Sequence, residues 1–303
     1  MIDLKIQIPQ DYLKEENRLN YRVGKEMKRV WAIELDLLAE FQRICDKYSI
    51  NYIASGGTML GAARHGGFIP WDDDIDLMML REDYNKLLSV QHEFQNPYFL
   101  QTWENDKGFF RGFARLRNSN TTGIQKTEFN CKFSYNQGIF IDIFPMDAVV
   151  DDENLFRLQS QKANKFLKKA LTYSSFKSRY YKDLDKNKRR KRNLIRNCFS
   201  MFMNDEKYLE KYEKECQRYN NLPTEKVSLL SFQFDNRVHD IPRKDLEDII
   251  ELDFEFLKIK VPKNYMEELS WKYGDWQTPT KSPSYHGDVY FDTFNPYTYY
   301  TES

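Results

Sequence analysis

Between Trp71 and Leu77 the chain carries Asp72, Asp73, Asp74 and Asp76, four carboxylates within five residues. Charges this close repel, and folding them together requires compensating positive charge. Strand alternation over 74–79 would set Asp74 and Asp76 on one face, with Ile75 and Leu77 on the other. Two acids at the end of a buried strand make a hard, oxygen-rich site suited to Mg²⁺, with Mn²⁺ as a substitute. The plainer alternative is a solvated acidic turn. Asp142 is the second unusual acid, set in Ile139-Phe140-Ile141-Asp142-Ile143-Phe144-Pro145. A lone carboxylate among large apolar residues must be paired, hydrogen-bonded or bound to a cation. It is a candidate third ligand beside Asp74 and Asp76; a hydrogen-bonded core Asp is the alternative.

Upstream, Gly56-Gly57-Thr58 can let backbone N–H groups approach a phosphate, and the N-terminus of the helix that follows favours an anion. In front of a pair of acids, this turn reads as a cradle for a donor phosphate facing a metal. Arg64 could steady that phosphate or be a surface side chain. His65 could contact substrate or cap the helix.

These residues need a scaffold. Val30, Ile33, Leu37, Phe41, Ile44 and Tyr48 recur at three- and four-residue steps, which predicts an amphipathic helix over 27–48. A short strand is expected at 51–54, helical turns at 58–64, a strand at 74–79 and a helix from 82 to about 94. Residues 98–101, 113–117 and 138–144 read as further strands, and 264–273 as a helix. Strands alternating with helices imply an α+β or α/β sheet with helices on it. From about residue 151 the texture becomes helical and basic. Residues 157–196 hold fifteen Lys or Arg against Asp183 and Asp185, a local net of +13 in a chain whose formal net charge is zero. We divide the chain into a catalytic core (1–150), a basic helical insertion (151–226) and a C-terminal part (227–303) that completes the substrate site.

Overall neutrality argues against a nucleic-acid partner. Cys45, Cys131, Cys198 and Cys216 are widely spaced, with neither a C-x-x-C pair nor a disulfide framework, as in a reduced cytoplasmic protein. The N-terminal residues show no signal-like apolar run, and no stretch reaches the roughly 18 apolar residues of a spanning helix. A soluble protein is expected, one that touches at most the inner face of the cell membrane.

The run from Gly57-Thr58 to Asp76 resembles the LicD family, which includes bacterial phosphocholine transferases and the animal fukutin-type transferases. The resemblance continues in Ala114-Arg115-Leu116-Arg117-Asn118 with Thr121, in Ile141-Asp142-Ile143-Phe144-Pro145-Met146-Asp147, and in Tyr273-Gly274-Asp275-Trp276 with Pro279 and His286. It implies a nucleotidyltransferase-like mixed sheet flanked by helices, with Gly56-Gly57 as the turn, Asp74 and Asp76 as the paired acids and Asp142 as the third. Arg115 stands where the family often has Lys. By the same resemblance Arg115 and His286 join Gly56, Gly57, Thr58, Arg64 and His65 in binding substrate. Two Mg²⁺ ions on Asp74, Asp76 and Asp142 would serve a CDP-alcohol donor (CDP-choline, CDP-ribitol or CDP-glycerol) and a cell-surface glycan acceptor, releasing CMP. A choline headgroup would want an aromatic cage, which Trp271, Trp276, Tyr285, Tyr290 and Phe291 could supply. If the glycan is carried on a membrane lipid, residues 157–196 offer a peripheral contact. The same acids and turn would equally serve a true nucleotidyltransferase that releases pyrophosphate. A non-enzymatic binding module would be expected to lack the acids.

Overall fold

A computed structural model of the chain describes residues 2–128, 135–178, 186–200, 204–231, 237–281 and 289–301. In chain order the elements begin with β1 (Glu16–Arg18), β2 (Tyr21–Val23), α1 (Lys25–Tyr48), β3 (Ile53–Ala54), α2 (Gly56–His65), β4 (Asp76–Leu80) and α3 (Arg81–Ser89). They continue with β5 (Tyr98–Gln101), β6 (Ala114–Asn118), β7 (Thr122–Gln125), β8 (Ile139–Val149), α4 (Glu153–Ser178), α5 (Lys186–Ser200) and α6 (Asp205–Cys216). The last are β9 (Lys226–Ser228), β10 (Ile241–Pro242), β11 (Ile249–Phe254), β12 (Leu257–Pro262), α7 (Tyr265–Tyr273), β13 (Val289–Asp292) and α8 (Thr298–Thr301). This is an α+β fold built on a mixed sheet.

The central strand is β8. Along one edge it pairs in parallel with β4; along the other it pairs antiparallel first with β6 and then with β9. Pro145, which has no N–H to donate, falls between the end of the β6 pairing at Ile143 and the start of the β9 pairing at Asp147, so β8 runs through it to Val149. The strand is therefore longer than the 138–144 stretch expected from sequence.

Alternation divides the core. Leu77, Met79, Ile141 and Ile143 join the main cluster under α1 with Trp31, Ile33, Leu37 and Phe41. Met78, Leu80, Phe144 and Met146 join Leu229, Ile241 and Leu246 in a second cluster. A third cluster holds the helical block, where Phe156, Ala163, Ala170, Leu209 and Tyr212 meet Val149 and Leu230 from the ends of neighbouring sheet segments.

Three boundaries differ from the sequence reading in ways that matter to the site. First, α2 begins at Gly56, because the Ser55 carbonyl already accepts from Met59 N at 3.1 Å; the two glycines are its first turn. Second, β4 starts at Asp76, so Asp74 precedes the strand and does not alternate with Asp76 on it. Residues 72–74 are held in irregular backbone: Asp72 N donates to Ile69 O at 2.9 Å and Asp72 O accepts from Trp31 Nε1 at 3.0 Å. The ladder to β8 begins only at the Ile75 carbonyl, which accepts from Asp142 N. Third, α3 ends at Ser89, and residues 91–93 form a separate 3-10 turn.

Candidate active site

Register builds the centre of the site. Asp76 on β4 lies directly opposite Asp142 on β8, and Arg115 on β6 lies opposite Asp142 from the other side. Residues opposed across neighbouring strands project to the same face, so Asp76, Asp142 and Arg115 form one row across three strands. Arg115 donates to Asp142 from Nε at 2.6 Å and from a terminal nitrogen at 3.2 Å, a two-pronged ion pair. Arg115 is 3% exposed and Asp142 9% exposed. Burial acts to lower the Arg115 pKa, but the charge and hydrogen bonds of Asp142 hold it above its ordinary value. Its guanidinium also lies 3.7 Å from the centroid of Phe140. Asp142 is thus an ion-paired carboxylate whose partner comes from the next strand.

The start of α2 abuts this row. Gly56 has a φ of +50°, in the left-handed region, and a Cβ there would lie 3.9 Å from Asp76 Oδ2 and 4.0 Å from the Tyr273 hydroxyl. At Gly57 a Cβ would come within 2.7 Å of Asp72 Oδ2, so a side chain there would displace that carboxylate. The two glycines therefore carry the carboxylates of Asp76 and Asp72 side by side. Both backbone groups of Asp76 are tied to the same turn: its N–H donates to Thr58 Oγ1 at 2.8 Å, and its carbonyl accepts from Ser55 N at 2.9 Å. The Thr58 hydroxyl accordingly anchors the acid strand. Asp72, Asp73 and Asp74, all half-buried, each place a carboxylate oxygen within 4.8 Å of the others.

Arg64 and His65 sit at the far end of α2, with Arg64 about 12 Å along the axis from Gly56 at 1.5 Å per residue. Arg64 Nε donates to His65 Nε2 at 2.9 Å, and a terminal nitrogen donates to the Trp276 carbonyl at 2.8 Å. An acceptor Nε2 requires a neutral imidazole. Burial, with the charges of Arg64 and Arg18, pushes the His65 pKa down to about 4. His286, Tyr285 and Cys131 lie outside the described residues. Of the aromatics proposed for a cage, Trp276 and Phe291 pack against the main core, and Tyr290 meets Tyr300 edge to face at 5.3 Å. Trp271 is 64% exposed and lines a groove beside the site.

That groove contains groups the motifs did not reveal. It runs between α7 and the second core cluster, with Ser55, Met78, Met146, Trp271, Glu268 and Lys272 on its walls. Burial lowers the Lys272 pKa, opposed by the charges of Glu268 and Asp76. Burial raises the Glu268 pKa to about 7, with Lys272 acting against it. A third overlooked residue is Glu34 on α1, 1% exposed. Position 34 lies on the apolar stripe, beside Ile33 and three residues before Leu37, and an acid on a buried stripe was the available signal. Lys272 and Glu268 gave none, since isolated charged residues on a helix as short as α7 are ordinary.

A family model described as "LicD/FKTN/FKRP, nucleotidyltransferase domain" matches residues 49–195. Residues 49–195 thus carry a LicD-family domain. The chain is 28% identical over 250 residues to the lipopolysaccharide cholinephosphotransferase LicD of Haemophilus influenzae, covering 80% of this chain and 88% of that one. Over 40 residues it is 48% identical to the ribitol 5-phosphate transferase FKRP of mouse and of human, covering 13% of this chain and 8% of each of those. The family-model match covers the acid row, Arg115 and the α2 turn; α1 and α7 lie outside it.

Proposed function

We propose that this protein transfers a phospho-alcohol from a CDP-alcohol donor to a hydroxyl of a cell-surface glycan, in a reaction that depends on Mg²⁺. The observation that carries this reading is the acid row: Asp76 in register with Asp142, flanked by Asp72–Asp74 on the glycine-lined start of α2. It is joined by the likeness to a cholinephosphotransferase and, over a shorter stretch, to a ribitol 5-phosphate transferase.

The residues suit a hard divalent cation. The donor set is entirely oxygen, and three carboxylates converge within 4.8 Å with no His or Cys among them. Asp74 and Asp76, with Asp72 and Asp73, would hold such ions, and Asp142 adds a charge already shared with Arg115. When bound, the ions supply positive charge against the donor diphosphate and the leaving CMP. The rest falls to the chain itself. First-turn N–H groups at Gly56 and Gly57 take phosphate oxygens, and Lys272 adds a cation from α7. The acceptor hydroxyl attacks the phosphorus that bears the alcohol, the phosphoanhydride bond to CMP breaks, and the hydroxyl proton passes to a carboxylate of the cluster.

The test is product analysis with CDP-choline, CDP-ribitol and CDP-glycerol, using chelated protein and added Mg²⁺ or Mn²⁺. Activity should vanish with chelator, return with either ion, and release CMP; release of pyrophosphate from a nucleoside triphosphate would instead make the protein a nucleotidyltransferase. Asp74→Asn and Asp76→Asn should each remove turnover while the protein stays folded. Turnover within roughly tenfold of wild type in either would sink the assignment. Asp142→Asn is a less clean probe, because it also strips Arg115 of its buried partner.

A further inference from the structure

Three carboxylates are buried on α1, and two of them are accounted for. Asp36 accepts from the backbone N–H groups of Lys5 and Ile6 and from the Tyr98 hydroxyl. Glu40 is clasped by Arg43 and approached by Lys5. Glu34 differs: it is 1% exposed, and its Oε2 has no hydrogen-bond partner. An ionised carboxylate left this way is costly, and proteins resolve the cost by protonation or by a cation.

The surroundings of Glu34 point to the cation. Trp31, one turn earlier on the same helix face, donates to the Asp72 carbonyl and lays this part of α1 against the 72–74 segment. Burial raises the Glu34 pKa well above its ordinary value, and the negative charges of Asp74, Asp73, Asp72 and Asp76 raise it further. The basic side chains nearest Trp31 are committed elsewhere, Lys28 to Glu16 and Arg18 to Glu255. A buried carboxylate with an unused oxygen therefore lies one helical turn from the contact that seats α1 on three converging ones. We propose that Glu34 is a positioning residue of a divalent-cation site whose other members are Asp72, Asp73 and Asp74. It is contributed by a helix that precedes the family-matched stretch. Its negative charge strengthens the hold of the cluster on the ion, and the ion in turn makes a charged Glu34 tolerable. This inference rests on the metal-dependent reading above.

The test uses Mn²⁺ as probe, with free Mn²⁺ counted by its electron paramagnetic resonance signal near neutral pH, and melting temperatures taken with and without the ion. Glu34→Gln imitates a protonated acid in size and hydrogen bonding. It should melt higher than wild type without metal, bind Mn²⁺ at least about tenfold more weakly, and gain less stability from the ion, as for groups that support metal ligands. Glu34→Asp keeps the charge but withdraws it by one methylene, so its affinity should fall between the two. If Glu34 is merely a protonated core acid, Glu34→Gln will bind Mn²⁺ within roughly twofold of wild type, and the proposal is overturned. Should Glu34→Gln not fold, wild-type affinity in Glu34→Asp overturns it equally. Failure of the wild-type protein to bind Mn²⁺ would instead remove the metal-dependent reading itself, a result distinct from either.

Discussion

His65 closes α2 with its imidazole accepting from the neighbouring guanidinium, and that bond has a consequence for pH. Its pKa in the fold is near 4 against an ordinary 6.5, chiefly through burial, then through Arg64 and Arg18. The folded state thus binds this proton less readily than the unfolded chain. The neutral imidazole contributes stability in full above about pH 6.5, and this is lost as pH falls toward 4. The His65 contribution is read as a difference against a variant that cannot titrate at this position. His65→Gln keeps an acceptor for Arg64 and cannot titrate. Melting curves from pH 4 to 8 should show wild type losing stability relative to His65→Gln below pH 6.5, with a constant offset above it. Parallel curves throughout would mean that His65 is not held neutral by the fold. At this scale the sequence was read unevenly. The acids and glycines were legible because their chemistry is local: consecutive charges and a Gly pair have few other uses. Arg64 was not, because its partner, the Trp276 carbonyl, lies 212 residues away. Glu34 was overlooked because the periodicity that located α1 draws attention to its apolar residues only.

Elements bring distant motifs into one row, and a buried ion-pair network on β8 reaches the helical block through α6. Arg81 at the start of α3 donates to both carboxylate oxygens of Asp147 on β8, at 2.8 and 2.6 Å, and both residues are buried. Asn220 donates to the same carboxylate at 2.7 Å, and Glu213 on α6 reaches Arg81 at 3.5 Å. Burial, offset by Arg81 and reinforced by Asp147, holds Glu213 up near 7. Asp147 closes the family motif that runs from Ile141, yet its contacts are structural. Asp147→Asn should destabilise the protein by about 3 kcal/mol, the low end for breaking a buried pair, because Glu213 can ionise and partly replace the lost charge. A urea midpoint lowered at unchanged slope would show this, with activity per folded molecule retained. Lost activity without lost stability would place Asp147 in the reaction instead. The long helix α1 was legible from its periodicity, the first half of β8 from its apolar run, and the short α7 was expected at 264–273 and forms at Tyr265–Tyr273. The β11–β12 hairpin was not legible, although it fixes the site from behind: Glu255 at its turn accepts from Phe68 N and packs where any side chain at Gly67 would have to go. Its role lies in a contact across nearly 190 residues, which spacing does not record.

At the scale of the whole molecule, charge is segregated. Residues 157–196 carry a local net of +13 while the chain sums to zero, so the remainder is correspondingly acidic. In α5, Lys188, Arg190, Lys191 and Arg192 are exposed, and so are Leu194, Ile195 and Phe199, at 67%, 45% and 58%. A helix so little packed gains little from tertiary burial, and propensity alone sustains 15 residues poorly in water. Among the described residues no helix is long and apolar enough to cross a membrane. We propose that α5 lies on an anionic membrane surface, its basic residues toward headgroups and Leu194, Ile195 and Phe199 at the interface, where a lipid-carried glycan would meet the acid row. Each basic side chain near such a leaflet contributes about 1 kcal/mol, an attraction that salt screens within a Debye length. In sedimentation with liposomes, the bound fraction should rise with anionic lipid and fall with salt. It should also drop when Lys188, Arg189, Arg190, Lys191 and Arg192 are all changed to Gln, while turnover on a soluble acceptor is unchanged. Binding indifferent to lipid charge, salt and these five substitutions would make the basic block a solvated surface, leaving delivery of the glycan to another part of the molecule.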